Sequence, residues 1–383
     1  MEAVSGPVDS EGGSRTAPVL SQSQQDAVDR VIDWHTNSRA QVFHLFGYAG
    51  TGKTTIARHI ADSIDATVGF AAYTGKAASV MTRKGCPAST LHSLLYHPKK
   101  KFDPITGKDT GQVEFVRKEN NKAERLGLVI IDECSMVGNV LGEDLLRLGV
   151  KVLVLGDPAQ LPPVEGTGFF HTDEPDVLLT EIHRQAEKSG VLKLATAVRM
   201  GKALPVGRCL ESDVVPFADF GRFDPTSFDQ ILVGTNATRV FWNARMRRLL
   251  GFTEVNPMPG ERVMCCKNNH QLKLLNGEQF VVVDCQQRNQ DTVRLYLRRG
   301  DGDTVQVESD VFLFRGGNVK EMPPVSDHRS IFDFAYAITV HKSQGSQWDN
   351  VMVIDQSSVF RENAAKWLYT AVTRASERVV VVR

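Results

Sequence analysis

Residues 42–55, VFHLFGYAGTGKTT, constrain this chain more than any other stretch. A short apolar run enters a glycine-rich loop of the form GxxxxGK[ST], and a helical pattern follows it. A strand of this kind is buried on both faces of a sheet and feeds a helix that packs back across it. The expectation is therefore an α/β fold built on parallel strands.

Further runs extend the pattern. VGFAAY (68–73), LGLVIID (126–132) and KVLVLGD (151–157) alternate with helical stretches in the first half. ILVGTN (231–236), FAYAITV (334–340), NVMVID (350–355) and RVVVV (378–382) predict a second parallel sheet. Upstream, SQSQQDAVDRVIDWH carries apolar residues at helical spacing behind a serine suited to capping. Between about 260 and 325, ERVMCC, EQFVVVDC, DTVRLYLRR and DTVQVES alternate with Asn-Gly and Gly-Asp-Gly turns and predict a small antiparallel barrel. The stretch HPKKKFDPITGKDTGQVEF (97–115) is punctuated by Asp-Pro and Thr-Gly and predicts a protruding hairpin, inserted over about 93–122.

At 383 residues the chain exceeds one core of usual size, so two or three domains are expected. Lys+Arg and Asp+Glu are equal at 45 each, and any nucleic-acid site must therefore be a local basic track. The six cysteines, Cys86, Cys134, Cys209, Cys265, Cys266 and Cys285, form no CxxC pair, which reads as reduced, metal-free and intracellular. Cys265 and Cys266 are adjacent and should face opposite sides of a strand. Residues 1–18 are rich in Gly, Ser and Pro and read as a disordered tail, neither signal peptide nor anchor. No run has the apolar length of a membrane span.

The loop implies phosphate chemistry. Backbone N–H groups of Gly47, Ala49, Gly50, Thr51, Gly52 and Thr55 would cradle a triphosphate at a helix N-terminus. Lys53 would reach the β and γ phosphates, and Thr54 would hold magnesium. The run LVIIDE ends in two acids: Asp132 would complete the magnesium shell, and Glu133 would polarise the attacking water. A second acid beside the metal acid argues for hydrolysis rather than transfer to a bound acceptor.

Eight motifs occur in order: GYAGTGKTT (47–55), YTGKAA (73–78), STLH (89–92), IIDECSMV (130–137), LGDPAQLPPV (155–164), EIHRQ (181–185), ITVHKSQGSQW (338–348) and LYTAVTRA (368–375). From about Leu20 to the last residue this arrangement resembles superfamily 1 helicases, specifically the RecD/Dda type of the 5′-to-3′ subclass (superfamily 1B). The resemblance implies two RecA-like domains, at 19–185 and 186–383, the first carrying a hairpin pin and the second a small β-barrel. It implies that Gln160 senses the γ-phosphate and magnesium, that Arg184 and Arg374 approach the γ-phosphate across the cleft, that Gln24 reads adenine, and that Gly345 borders the nucleotide. Tyr369 is left to stack on a base or to pack.

The same resemblance assigns strand contacts to Thr74, Lys76, Thr90, His92, Thr235, Asn236, Thr339, His341, Lys342 and Ser343. Lys99, Lys100 and Lys101 would hold phosphates while Phe102 stacks on a terminal base pair. A solvated charge run beside a packed Phe is the alternative. RMRRLL (245–250) would add charge to the track or form a solvated helix face. The implied protein is an ATP- and Mg2+-dependent DNA helicase, monomeric and cytoplasmic, acting on single-stranded and forked DNA in replication, repair or recombination, with replication or recombination proteins as partners. The chain runs out after its last predicted strand, at Arg383, so no C-terminal recruitment domain is expected. An RNA helicase of viral replicase type, a P-loop ATPase acting on protein partners and a translocase that leaves duplexes intact remain open.

Overall fold

The β-branched runs form two six-stranded sheets in the computed structural model, which describes residues 20–102, 109–162, 168–181, 188–269, 272, 274–300, 302–317, 321–322 and 329–383, with backbone alone at 98, 100–102 and 109–114. The first sheet contains β1 (Val42–Gly47), β2 (Val68–Ala72), β3 (Ala88–Thr90), β6 (Leu128–Asp132), β7 (Lys151–Gly156) and β8 (Val177–Leu179), in the order β3-β2-β6-β7-β1-β8. Every pairing in it is parallel, so the strand C-termini share one edge. β3 and β8 are three-residue edge strands, too short to show a periodicity in sequence. Between β3 and β6, the strands β4 (Tyr96–Phe102) and β5 (Asp109–Arg117) pair only with each other as the expected hairpin.

The second sheet has β9 (Gly207–Cys209), β10 (Ser212–Val215), β11 (Gln230–Val233), β17 (Ala337–Thr339), β18 (Trp348–Ile354) and β19 (Ala375–Val382). It is parallel except at one edge, where the β9–β10 hairpin runs antiparallel.

The barrel closes through β12 (Arg262–Cys265), β13 (Gln279–Asn289), β14 (Thr292–Arg298), β15 (Thr304–Asp310) and β16 (Ser330–Phe334). Two expectations change here. The barrel is not wholly antiparallel, because β15 and β16 pair parallel, and its closing strand lies past residue 325. FAYAITV is not one strand: Phe334 ends the barrel, Ala337–Thr339 enters the second sheet, and Val340 begins a helix. Side chains capture the backbone at this corner. Asn243 donates to the Phe334 and Ala337 carbonyls at 3.1 Å each and accepts the Ala337 N–H at 2.8 Å. Gln230 donates to the carbonyls of Ala335 (3.2 Å) and Tyr336 (3.0 Å). A buried break in a strand is tolerated only when its polar backbone groups are bonded elsewhere.

Asn243 lies on the helix Asn236–Leu249, which also roots the barrel through ion pairs Arg239–Asp333 and Arg247–Glu261, the latter at 2.6 Å. Arg245 covers the Trp242 ring, so two of the three arginines of RMRRLL serve packing and pairing. Cys265 and Cys266 do face opposite ways, one into the core shared with the barrel and the other against the core on the far face of the second sheet. Among the described residues, no helix is long and apolar enough to cross a membrane.

Candidate nucleotide cleft and strand groove

The glycine-rich loop turns through two left-handed residues, Gly50 (φ 82°) and Gly52 (φ 80°), before the helix Lys53–Ser63 begins. Among the described residues no side chain caps that helix, so its first-turn N–H groups are left for a ligand. The loop is braced from behind. The Thr51 hydroxyl donates to the Tyr48 carbonyl at 2.8 Å, and a Cβ on Gly47 would meet that hydroxyl at 2.6 Å. Gln24 caps its own helix by accepting the Ser21 N–H and donates to the Thr51 carbonyl at 2.9 Å. Lys53 Nζ donates to the carbonyls of Gly47 (2.5 Å) and Tyr48 (3.1 Å).

In front of the loop lies a cavity of about 360 Å³. Ala49, Gly50, Gly52, Lys53, Thr54 and Thr55 line one wall, and Asp132, Glu133, Asp157 and Gln160 project from the ends of β6 and β7. Gly345 and Arg374 come from the second sheet to close it. Gln24, Gly47 and Thr51 stand behind this surface, and Arg184 lies outside the described residues.

Glu133 is held with a left-handed φ of 55°, a conformation costly for a residue with a side chain. Burial pushes its carboxyl above the usual carboxylate range; Arg374, at 3.9 Å, pulls it back, while Asp132 and Asp157 add to the rise. Arg374 is 5% exposed, with its guanidinium fixed by the carbonyls of Thr370 (3.1 Å) and Ser346 (3.3 Å). Gln160 Oε1 is buried without a hydrogen-bond partner among the described residues. Such an orphan is costly unless a ligand satisfies it, and it fits the metal-and-phosphate site expected beside Thr54 and Asp132.

Tyr369 proves to be a bridge, a role its sequence context does not reveal. On the helix Ala364–Val372, its hydroxyl accepts the Ala49 N–H and donates to Asp157, both at 2.8 Å. Burial first, and Asp157 next, push its pKa up, so it keeps the donating proton. The neighbouring Thr370 hydroxyl accepts the Leu161 N–H at 2.9 Å, and Gln344 donates to the Leu161 carbonyl at 2.8 Å. Leu161 itself enters the apolar core of the second sheet. Arg199 stacks on the Tyr48 ring at 3.7 Å, and Lys76 on the Trp348 ring at 3.9 Å. Burial lowers the Lys76 pKa to about 8, with Arg83 and Arg374 contributing.

A second cavity, of about 370 Å³, runs along the same strand edge. Thr74, Thr90 and His92 line it from the first sheet, His341 and Lys342 from the second, and Asn268, Leu275, Asn276 and Gly277 from the barrel. Tyr73, Tyr96 and Phe115 supply ring surface that motif reading left unassigned. The threonines cap helices: Thr74, Thr90 and Thr235 accept the N–H groups of Ala77, Ser93 and Thr238 at 3.1–3.2 Å. Burial lowers the pKa of His92 and of His341. Lys76, Thr235, Asn236 and Thr339 do not line this cavity, and Ser343 is fully buried with its hydroxyl on the Val340 carbonyl at 2.7 Å. The Phe102 side chain, with those of Lys100 and Lys101, lies outside the description.

Comparison with known proteins agrees with this arrangement. Residues 19–219 match the AAA domain family model, and residues 334–382 match the UvrD-like helicase C-terminal domain. The chain is 27% identical over 391 residues to the ATP-dependent RecD2 DNA helicase of Deinococcus radiodurans, covering 94% of this chain but 48% of that protein. It therefore spans about half the length of that relative. It is 30% identical over 414 residues to the RecD subunit of the RecBCD enzyme of Mycolicibacterium smegmatis, covering 88% of this chain and 67% of that one. In fold it is similar to the Bacteroides Pif1 helicase solved with single-stranded DNA (TM-score 0.56, 19% identity, 95% and 92% of the two chains). With its phosphate loop, paired acids, cleft-closing arginine and barrel all in family order, the chain belongs to the RecD/Pif1/Dda-like group of superfamily 1B helicases.

Proposed function

We propose that this protein is an ATP-hydrolysing motor that advances along single-stranded DNA, in the 5′-to-3′ direction of its group, and separates duplex DNA at a fork. The observation that carries the proposal is the pairing of Glu133 with Arg374 across the cleft at 3.9 Å. A strand end that offers one acid to the metal and the other as base, with a cation from the opposite sheet, suits hydrolysis of a terminal phosphate. Lys53 would exchange its loop carbonyls for phosphate oxygens. Arg374 would stabilise charge spreading over the transferred group, and Glu133 would take a proton from the attacking water. Thr54 and Asp132 are the ligands offered to magnesium, which when bound supplies neutralisation of phosphate charge.

Coupling to a strand follows from the shared edge. The cleft and the groove are lined by consecutive strand ends of both sheets, so a change in how the sheets meet alters both cavities together. Ring surfaces and histidines in the groove suit bases, while hydroxyls, amides and Lys342 suit phosphates. Measuring ATP hydrolysis with single-stranded DNA, RNA or neither tests this reading. Strong stimulation by DNA is expected; preference for RNA, or indifference to both, would overturn it.

A further inference from the structure

The β4–β5 hairpin has two chemically different faces. In its register Tyr96 lies opposite Arg117, Pro98 opposite Phe115, His97 opposite Val116 and Lys99 opposite Glu114. Paired residues share a face, and successive residues alternate. Tyr96 and Phe115 accordingly line the groove, whereas His97, Lys99 and Val116 line a separate open cavity of about 670 Å³ behind the hairpin.

Among its described lining residues that rear cavity holds more bases than acids. Lys118 and Lys122 join His97 and Lys99 there, and Arg117, which the register pairs with Tyr96, also lines it at the strand end; among the described lining residues Glu119 is the one acid. Arg117 is drawn to Asp144 at 4.0 Å, and Lys118 donates to the Ser93 carbonyl at 2.5 Å. Lys99 and Lys122 are exposed and have no carboxylate partner among the described residues. Like charges gathered on one surface repel, and in a chain with 45 acids and 45 bases the cluster stands apart from the overall balance. Its complement is a polyanion.

We propose that this rear face binds the phosphate backbone of the strand displaced at the fork, keeping it apart from the strand in the groove. The inference rests on the unwinding function proposed above. The hairpin then separates the strands on both sides: rings meet one strand in front, and ammonium groups draw the other behind. Phosphate contacts of this kind are sequence-independent and weaken with salt.

The test uses the full chain on forked duplexes with a 5′ single-stranded tail and a 3′ flap of either DNA or uncharged methylphosphonate. The wild type should unwind the DNA-flap fork roughly threefold or more faster than the neutral-flap fork at low salt. The exposed double variant His97→Glu/Lys122→Glu should lose that advantage, match the wild type on the neutral flap, and keep its single-strand-stimulated ATP hydrolysis. Unwinding by the wild type that ignores flap charge would overturn the inference alone. So would a variant that is unaffected, or one slowed equally on both forks. Failure of the wild type to unwind either fork would remove the proposed function and this inference with it.

Discussion

The hydroxyl of Tyr369 donates to the Asp157 carboxylate at 2.8 Å while accepting the Ala49 N–H at the same distance. One phenol thus ties a helix of the second sheet to both the phosphate loop and the end of β7 in the first. Tyr369→Phe keeps the ring in its apolar setting and leaves Asp157, 7% exposed, without that donor. A hydrogen bond to a charged group contributes about 1.5 to 3 kcal/mol, so a loss of roughly tenfold or more in kcat/KM for strand-stimulated ATP hydrolysis is expected. Steady-state kinetics with and without single-stranded DNA checks it; an unchanged stimulated rate would show that the bridge does not couple the sheets.

Glu133 sets an acid limb. Its carboxyl is raised above the ordinary 4.5, chiefly by burial, and a base works only when deprotonated. As pH falls, kcat/KM should therefore decline beginning at a higher pH than an exposed glutamate would give. Glu133→Gln should lose hydrolysis by two or more orders of magnitude, on the order of a general base's contribution, while retaining nucleotide affinity. A pH profile with its acid limb at the ordinary carboxylate value would contradict the assignment.

Arg374→Ala removes the buried cation that faces Glu133. Glu133 then loses its largest opposing influence, and its pKa should climb further. Hydrolysis should fall by about two to three orders of magnitude, the scale of a lost transition-state cation. Arg374→Lys should recover little of it, because a point charge does not reproduce the fixed guanidinium fork. Fluorescent-nucleotide titration should find binding retained in both variants.

Gly75 and Leu275 test the groove. A Cβ on Gly75 would collide with the Leu275 side chain, which reaches over from the barrel. Gly75→Ala must turn the end of that half-buried side chain aside, within the groove it lines. Single-strand affinity, read by fluorescence anisotropy, should weaken by about two- to fivefold, on the order of 1 kcal/mol or less. Adding Leu275→Ala should restore it; no rescue would mean that this contact does not shape the groove.

Much of this architecture was legible because buried parallel strands leave continuous apolar runs and end in motif loops. Lys53, Asp132, Glu133, Gln160 and Arg374 come from four separate motifs, and the shared strand edge gathers them around one cavity. Other features leave no local trace. β3 and β8 borrow their stability from neighbouring strands, and the corner at 335–336 depends on Asn243 and Gln230, about a hundred residues away. Tyr369 and Asp157 are 212 positions apart, so a motif could mark each but not their bond. Gln24 and Thr51 occupy motif positions yet face inward, since the loop needs bracing as much as lining.

Coupling of ATP hydrolysis in this cleft to strand separation at the hairpin is the step on which the proposed function depends. It is tested most directly by displacement of a labelled strand from duplexes bearing a 5′ or a 3′ overhang, with Lys53→Ala as the hydrolysis-deficient control. ATP-dependent release from the 5′-overhang duplex alone, absent in Lys53→Ala although that variant still binds single-stranded DNA, is the predicted result. Release by Lys53→Ala at the wild-type rate, or no release from either duplex by the wild type, would contradict the account.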